Sequence, residues 1–456
     1  MSGVADYLGK NRQRHLDQLS SLLRIPSVST DPERRGDIRR AAEWIRSRLL
    51  QAGCTSSEIH PTEGHPVVYG EWLGAPSRPT ILVYGHYDVQ PADPVELWKT
   101  PPFEPSIRDG RIYARGATDD KGQLSIHINA LEAHLATSGS CPVNVKLLIE
   151  GEEEIGSPHL TSFIEASRKK LGCDAVVVSD TAMFDKGVPS ICHGLRGLAY
   201  LQIDVRGTDR DLHSGSFGGA VVNPAFALAQ MLAALKDSRG KVKVPGFYDR
   251  VRKLTPLERK AFRALPHRDA KFKRSIGAPD LHGEAGFTTL ERIWARPTLE
   301  INGIWGGFTG EGAKTVIPAE AHAKISCRLV PHQTAAEIAR KVETHLRRIA
   351  PKSVRVKVRN LHGGPAWLAE TDHPALQAAA RAVKRAFGKA PVFTREGGSI
   401  PVIASFTKLL GVPSVLLGIG LNDDNAHAPD EKLDLDLFFG GNLAAAYLME
   451  ELGARA

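Results

Sequence analysis

Apolar positions along the chain follow two spacings in turn: short continuous runs typical of buried strands, and stripes at the spacing of an amphipathic helix. One stripe, residues 38–49, follows Asp37 and stops before Gly53, a typical residue after a helix end. Strands and helices then alternate. The predicted strands are 67–72, 80–83, 143–149 and 175–178, and the predicted helices are 121–136 and 160–170. This alternation predicts an α/β domain with a doubly wound, mostly parallel sheet.

The pattern changes near residues 194–197, and a different block follows. Its predicted elements are a half-exposed strand at 199–205, a helix at 224–237, a strand at 321–329, a helix at 334–349 and a strand at 354–358. Thr334 and Glu337 have the spacing of a capping box at the start of the second helix. Strands and helices in this order predict a separate α+β domain.

The α/β pattern resumes at Asp372 with a helix to about residue 387 and a strand at 414–417. The first domain is therefore predicted to be discontinuous. We predict domain boundaries of 1–197 and 363–456 for the α/β domain and 198–362 for the inserted domain.

Histidines and acidic residues gather at the ends of apolar runs. Runs at 81–84, 145–149 and 175–178 lead directly into such positions. The candidates are His86, Asp88, Asp119, Asp120, Glu150, Glu152, Glu153, Glu154, Asp180 and His427. Ligands of α/β proteins collect outside the carboxyl ends of the strands, so these side chains predict a pair of hydrolytic divalent metals. The alternative for each residue taken alone is a turn residue or a helix cap.

Size and composition are those of a soluble globular protein of two domains: 456 residues, 42% apolar and 24% charged. No apolar stretch approaches the ~20 residues of a membrane span, and the first residues are too polar for a secretory signal. The five cysteines form no CxxC pair and indicate reduced thiols in the cytoplasm. We expect a cytoplasmic protein without a membrane partner.

The formal net charge is +8, with basic clusters between residues 241 and 274. Nucleic-acid binding is one interpretation of such clusters. A solvated helical face is the other, and it is favoured because no stacking aromatic pattern accompanies the charge. We expect no nucleic-acid partner.

Longer motifs span nearly the whole chain. They are YGHYDVQ at 84–90, RGATDDKG at 115–122, EGEEEIGS at 150–157, DLHSGSFGG at 211–219, KTVIP at 314–318, RLVP at 328–331, REGGSIP at 395–401 and AH at 426–427. Together they resemble the co-catalytic zinc superfamily of aminoacylases, desuccinylases and dipeptidases. The closest similarity is to its carnosinase-like, non-specific dipeptidase branch.

The resemblance implies two divalent metals in each chain. His86 and Asp180 are implied to hold one metal, Glu154 and His427 the other, and Asp119 to bridge both. Imidazole and carboxylate ligands suit zinc, with manganese or cobalt as the alternatives. The resemblance also implies a cis peptide bond after Asp119.

Further roles are implied for residues around the metals. Asp88 is expected to orient the imidazole of His86, and Glu153 to act as general base for the metal-bridging water. The implied substrate-binding residues are Arg328, His213, Thr315 and Ser399. Arg328 is expected to bind a substrate carboxylate, and His213 to stabilise the oxyanion from the partner subunit of a homodimer.

The expected activity is hydrolysis of the peptide bond of dipeptides or short peptides with a free C-terminal carboxylate. An amidohydrolase that removes acetyl or succinyl groups from N-acyl amino acids is the alternative within the same superfamily. A catalytically dead binding protein is a third hypothesis, which predicts that a metal ligand is missing. All five ligand positions are filled by suitable residues. The side-chain preference for the substrate stays open at this point.

Overall fold

The computed structural model describes residues 2–398 and 400–454. These residues form two compact units. The first contains the described residues of Met1–His193, Ala369–Thr394 and Val402–Ala456, and the second those of Gly194–Leu368 and Arg395–Pro401. The chain thus passes from the first unit to the second and back twice, the second time only for the short segment Arg395–Pro401.

The first stretch of chain supplies most of the large sheet. Its helices are α1 Ser2–Lys10, α2 Arg12–Leu23, α3 Arg35–Gln51, α4 Lys121–Ser138 and α5 Leu160–Ala166, with 3-10 turns at Pro32–Arg34, Val95–Leu97 and Glu153–Ile155. Its strands are β1 Ser56–His60, β2 Val67–Trp72, β3 Thr80–His86, β4 Ser106–Arg108, β5 Arg111–Tyr113, β6 Asn144–Glu150, β7 Ala175–Val178, β8 Ala182–Met183 and β9 Ser190–Leu195.

The middle stretch of chain forms a smaller antiparallel sheet with helices. Its strands are β10 Gly197–Arg206, β11 Leu212–His213, β12 Thr298–Trp305, β13 Val316–Ile317, β14 Glu320–Leu329, β15 Arg355–Gly364 and β16 Trp367–Leu368. Its helices are α6 Ser214–Phe217, α7 Pro224–Ala233, α8 Pro256–Ala264, α9 Asp269–Ser275, α10 Thr289–Ala295 and α11 Ala335–Ile349.

The last stretch of chain completes the first unit. Its helices are α12 Pro374–Phe387, α13 Pro401–Leu410 and α14 Leu435–Gly453, and its strands are β17 Val392–Glu396, β18 Ser414–Leu416, β19 Gly420–Leu421 and β20 Lys432–Asp434.

The large sheet is parallel at its centre and antiparallel at its flanks. Its order is β1-β2-β6-β3-β7-β18-β9-β16, with β17 also paired to β9, and the pairing is parallel from β6 through β3 and β7 to β18. The central strands are apolar and buried almost throughout, as expected where both faces of a sheet are covered. The predicted α/β class with a mostly parallel sheet is confirmed.

Helix α4 forms the centre of the helical layer. Every residue from Lys121 to His134 is buried, and α4 packs against both α1 and α14. A helix that is buried on all sides belongs in the core of a large domain. This rigid element begins directly after Asp119 and Asp120, so the core holds one end of a candidate metal-binding segment.

The smaller sheet has the antiparallel order β12-β14-β10-β15, and helices α7 and α11 pack on it. Strand β10 alternates between buried and half-buried residues, as the apolar pattern predicts. It lies inside the sheet, paired on both sides, whereas β12 and β15 are the edges. The half-exposed pattern of β10 therefore does not mark an edge at which a second copy could pair, because its backbone hydrogen bonds are already used within the sheet.

Within residues 2–398 and 400–454, no helix combines the length and the apolar character that crossing a membrane requires.

Candidate active site

The candidate metal ligands of the first unit meet at the carboxyl edge of the parallel strands. His86 is the last residue of β3, Asp180 follows β7, and Glu154 lies in the turn after β6. Because β6, β3 and β7 are parallel neighbours, the three side chains emerge at one edge. Asp119 and His427 reach the same place from loops before α4 and after β19.

Asp119 lies between the two histidines. Its Oδ1 atom is 3.2 Å from His86 Nε2, and its Oδ2 atom is 2.9 Å from His427 Nε2. On the outer sides, Asp180 Oδ2 is 3.9 Å from His86 Nε2, and Glu154 Oε2 is 3.3 Å from His427 Nε2. The result is two three-residue clusters, each compact enough for one metal ion, that share one carboxylate.

The orientation of His86 is set from behind its ring. Its Nδ1 atom lies 3.0 Å from the backbone oxygen of Asp88 and 3.4 Å from the carboxylate Oδ1. With Nδ1 engaged by the Asp88 backbone oxygen, Nε2 is the ring nitrogen that faces Asp119 and Asp180. Nε2 is buried and makes no hydrogen bond of acceptable geometry to the described residues. A buried ring nitrogen without a hydrogen bond that faces carboxylates fits a metal ligand.

Asp88 has a second task beside the one expected from the sequence. Its two carboxylate oxygens accept hydrogen bonds from the backbone N–H groups of Glu153 and Glu154, at 3.2 and 3.1 Å. One residue therefore holds the ring of His86 through its backbone oxygen and the turn that carries Glu154 through its carboxylate. The geometry connects the ligands of the two clusters.

Negative charge exceeds positive charge at this place. Burial, with the charges of Asp119 and Asp120, raises the pKa of the Asp180 carboxyl well above its usual range. Burial, with Asp119 and Glu154, likewise raises the pKa of Glu153 despite His86 nearby. Hydrogen bonds to Asp119 and Glu154 raise the pKa of His427 to about 10. Closely spaced carboxylates that exceed the positive charges around them favour the binding of divalent cations.

The peptide bond between Asp119 and Asp120 is cis, as the resemblance implies. Asp120 is buried, and its Oδ2 atom accepts a hydrogen bond from the backbone N–H of His86 at 3.2 Å. The side chain of Asp120 thus points into the sheet rather than toward the two clusters.

The substrate-binding candidates belong to the second unit. His213 is exposed at the end of β11, where its Nδ1 accepts a hydrogen bond from Gly215 N at 3.0 Å and caps α6. Thr315 lies beside it, because its carbonyl accepts from Ser214 N and β11 pairs with β13. Arg328 is half-buried on β14, and burial lowers the pKa of its guanidinium. Ser399 lies outside the described residues.

Some residues that hold the candidate site were missed from the sequence. Glu431 accepts hydrogen bonds from the backbone N–H groups of Thr118 and Asp119, and Asp424 accepts one from the Thr118 hydroxyl. Gln123 donates to the Thr118 carbonyl. The available signal was the run of acids around His427, at 423, 424, 430 and 431, which solvated turn residues also explain.

Comparison with known proteins agrees with this geometry. Residues 82–451 match peptidase family M20/M25/M40. The chain is 36% identical to the Cys-Gly metallodipeptidase dug1 of Schizosaccharomyces pombe, over 98% of this chain and 97% of that protein. It is also 36% identical to the human Beta-Ala-His dipeptidase, over 84% of this chain and 77% of that protein.

Solved structures show the same fold. The structure of the dipeptidase Dug1p from Saccharomyces cerevisiae superposes with a TM-score of 0.86 at 32% identity, covering 99% of this chain and 98% of that one. Human carnosine dipeptidase 1 gives the same TM-score, identity and coverage. The predicted carnosinase-like branch is confirmed, and the chain belongs to peptidase family M20/M25/M40.

Proposed function

We propose that this chain is a metal-dependent dipeptidase. It hydrolyses the peptide bond of dipeptides, or of short peptides, that have a free C-terminal carboxylate. The observation that carries the proposal is the pair of clusters that share Asp119. The relatives support the substrate class, since those named above are a Cys-Gly metallodipeptidase and a Beta-Ala-His dipeptidase.

Two divalent cations are the proposed cofactors, with zinc favoured over manganese or cobalt. One is held by His86, Asp119 and Asp180, and the other by Asp119, Glu154 and His427, all nitrogen and oxygen donors that zinc accepts. When bound, such a pair supplies a Lewis acid for the scissile carbonyl and a water of lowered pKa.

Glu153 is the proposed general base. It adjoins Glu154 and is fixed by the bond from its N–H to Asp88. Burial beside acids raises the pKa of its carboxyl, so Glu153 is suited to take a proton from the hydrolytic water and to release it again. The acceptor of that proton is the leaving amine. The same carboxylate then takes the proton from the water and delivers it to the leaving amine.

The remaining roles follow the family resemblance. The guanidinium of Arg328 binds the substrate carboxylate in bidentate fashion, Thr315 and Ser399 donate hydrogen bonds to the substrate, and His213 stabilises the developing oxyanion. We assign catalysis to residues 1–197 and 363–456, and the lid and dimer contact to residues 198–362.

We also propose a homodimer. The second unit exposes several large apolar side chains: Phe217, Phe226, Ile301, Ile304, Trp305 and Phe308. Phe226 on α7 is 71% exposed, and Ile304 on the edge strand β12 is 58% exposed. An unpaired strand edge with apolar neighbours suits an isologous contact between two copies.

The five free cysteines support a reducing, cytoplasmic location.

Metal content and activity test the function together. We expect two zinc or manganese ions per chain after loading, and hydrolysis of a dipeptide panel that stops on chelation and returns with metal. A panel of N-acetyl amino acids, measured in parallel, separates the dipeptidase from the deacylase. One ion or fewer per chain at saturating metal contradicts the dinuclear site, and turnover of the N-acyl panel alone contradicts the dipeptidase.

A further inference from the structure

Glu431 is a buried carboxylate with all its acceptor positions in use. Its Oε2 atom accepts from Arg115 Nη1 at 2.7 Å and from Gly116 N at 2.9 Å. Its Oε1 atom accepts from Thr118 N at 3.0 Å and from Asp119 N at 3.1 Å. Two oxygens of an ionised carboxylate accept about four hydrogen bonds, so Glu431 is saturated by donors.

Those four donors all belong to the segment 115–119, which ends at Asp119. Three of them are backbone N–H groups, so Glu431 fixes the path of the main chain rather than one rotamer. The charge of Glu431 is balanced by Arg115, which is itself buried. A charge-assisted anchor of this kind holds its partners in one geometry.

Glu431 also closes the loop that carries His427. Its backbone oxygen accepts from Ala114 N at 3.1 Å, and the next residue, Lys432, donates its N–H to the Asp424 oxygen at 2.9 Å. Asp424 in turn accepts from the Thr118 hydroxyl at 3.0 Å. The loop from 424 to 432 is thus tied at both ends to residues 114–119.

His427 needs such an anchor. Its side chain is 55% exposed, and His427, Asn425 and Asp430 all have positive φ angles. Non-glycine residues keep this backbone conformation only where the surroundings impose it. The position of the His427 imidazole therefore depends on the two ends of its loop.

We infer that Glu431 is a positioning residue for the metal pair: it holds the shared ligand Asp119 and the loop of His427 in one register. This inference rests on the proposed function. It differs from a purely structural role, because a structural carboxylate elsewhere stabilises the fold without changing the affinity for metal.

The chain contains a matched control for that difference. Glu132 is also a buried carboxylate of the first unit that binds arginine, through Arg14 and Arg48. Its hydrogen-bond partners lie in α1, α2 and α3, and among the described residues none of them is a candidate metal ligand. Glu431→Gln and Glu132→Gln make the same chemical change in a similar environment.

The experiment is titration of the metal-free protein with zinc alone, in competition with a chromophoric chelator, to obtain the number of ions and both dissociation constants. We expect Glu431→Gln to raise both constants by about 10–100-fold, the usual effect of removing a residue that supports metal ligands. Glu132→Gln is expected to lower the urea midpoint and to leave both constants unchanged. Excess zinc should restore most turnover of Glu431→Gln.

Three results overturn the inference. The first is zinc binding by Glu431→Gln equal to wild type. The second is an equal loss of zinc affinity in Glu132→Gln. If Glu431→Gln does not fold, Glu431→Asp decides, because the shorter side chain keeps the charge but does not span all four donors; wild-type affinity in that variant is the third result. A wild-type chain that binds no zinc contradicts the proposed function as well, whereas failure of the variants alone leaves the function intact.

Discussion

Asp119 has the central place among the individual side chains, because its two oxygens face two different histidines. Burial raises the pKa of the Asp119 carboxyl, but the imidazoles of His427 and His86 beside it outweigh burial and lower the pKa below its usual range. The residue therefore stays ionised, as its proposed role as a shared ligand requires. Glu153 and Glu154 are adjacent in sequence, but only Glu154 takes part in a cluster.

Replacing Glu153 by glutamine separates proton transfer from metal binding. Glu153→Gln should keep the fold and both metals, and should lose about 10²–10⁴-fold in kcat, the contribution of a general base. Steady-state kinetics and elemental analysis of the same preparation measure the two effects.

Glu152→Gln is the control for that variant. Both oxygens of Glu152 are engaged away from the clusters, by His65 N at 3.0 Å and His159 Nδ1 at 2.8 Å. This variant is expected to retain most of its turnover. Near-normal kcat in Glu153→Gln would remove Glu153 from the proposed role.

Among the helices of the first unit, side-chain contacts join distant parts of the chain. Glu132 on α4 accepts hydrogen bonds from Tyr7 on α1, Arg14 on α2 and Arg48 on α3. One carboxylate thus connects the N-terminal helices to the buried helix that follows Asp119. The packing of α1 and α2 on α4 supports this connection.

Glu132→Gln is expected to lower the free energy of unfolding by about 3–5 kcal/mol, because it leaves buried arginine charge without its partner. Burial raises the pKa of Glu132, but His15 and Arg14 beside it and the charge of Arg48 outweigh burial and lower the pKa. A lowered folded-state pKa gives stability that is present above the unfolded value of about 4.3 and is lost as the pH falls further.

Urea unfolding of wild type and Glu132→Gln, at neutral pH and at several acidic values, measures this effect. The difference between the two proteins should shrink as the pH falls below about 4.3. A difference that stays constant into acid would mean that the charge of Glu132 contributes nothing.

Helix α11 shows how a predicted cap is realised only in part. The Thr334 side chain accepts from Glu337 N at 3.3 Å, whereas Glu337 pairs with Lys341 at 2.8 Å instead of returning to the cap. Complete capping boxes occur at Thr255 and Thr288, which open α8 and α10. Thr334→Ala should cost about 0.5–2 kcal/mol of stability, and Thr334→Ser should cost little. Thermal unfolding of both variants tests this, and equal melting temperatures for wild type and Thr334→Ala would contradict it.

The whole molecule combines a discontinuous unit with an inserted one. In the proposed homodimer, the inserted unit supplies the contact between the two chains. If His213 of one subunit serves the metals of the other, each active site needs two chains. His213 is exposed at the end of a short strand, as a residue offered to a partner must be.

Mixed dimers test the shared site. His213→Ala and Glu153→Gln homodimers should both be nearly inactive, and subunit exchange between them should restore activity. In a mixed dimer, the site that keeps Glu153 receives an intact His213 from the other chain, so one site of two is competent. A mixture that stays inactive after proven exchange would place the role of His213, if any, within its own chain.

The local sequence was sufficient to predict the candidate metal ligands and the α/β class of the fold. The candidate metal ligands can be recognised because each belongs to a short motif. The strands can be recognised because each is a continuous apolar run, which is visible without knowledge of its pairing partners. The interruption of the α/β pattern by an α+β block was visible because both patterns are local. Structure comparison confirmed the class and the family, while the individual site roles stay predictions.

Tertiary structure alone decided which strands are edges and which residues hold the ligands. Strand β10 alternates like an exposed strand, yet it lies between β14 and β15, because pairing partners are chosen across the chain and not by the strand itself. Glu431 is separated from Asp119 by 312 positions, and no local spacing joins them. Hydrogen bonds of this kind form only after folding has brought two loops together, so their residues look like ordinary polar turn residues until the fold is known.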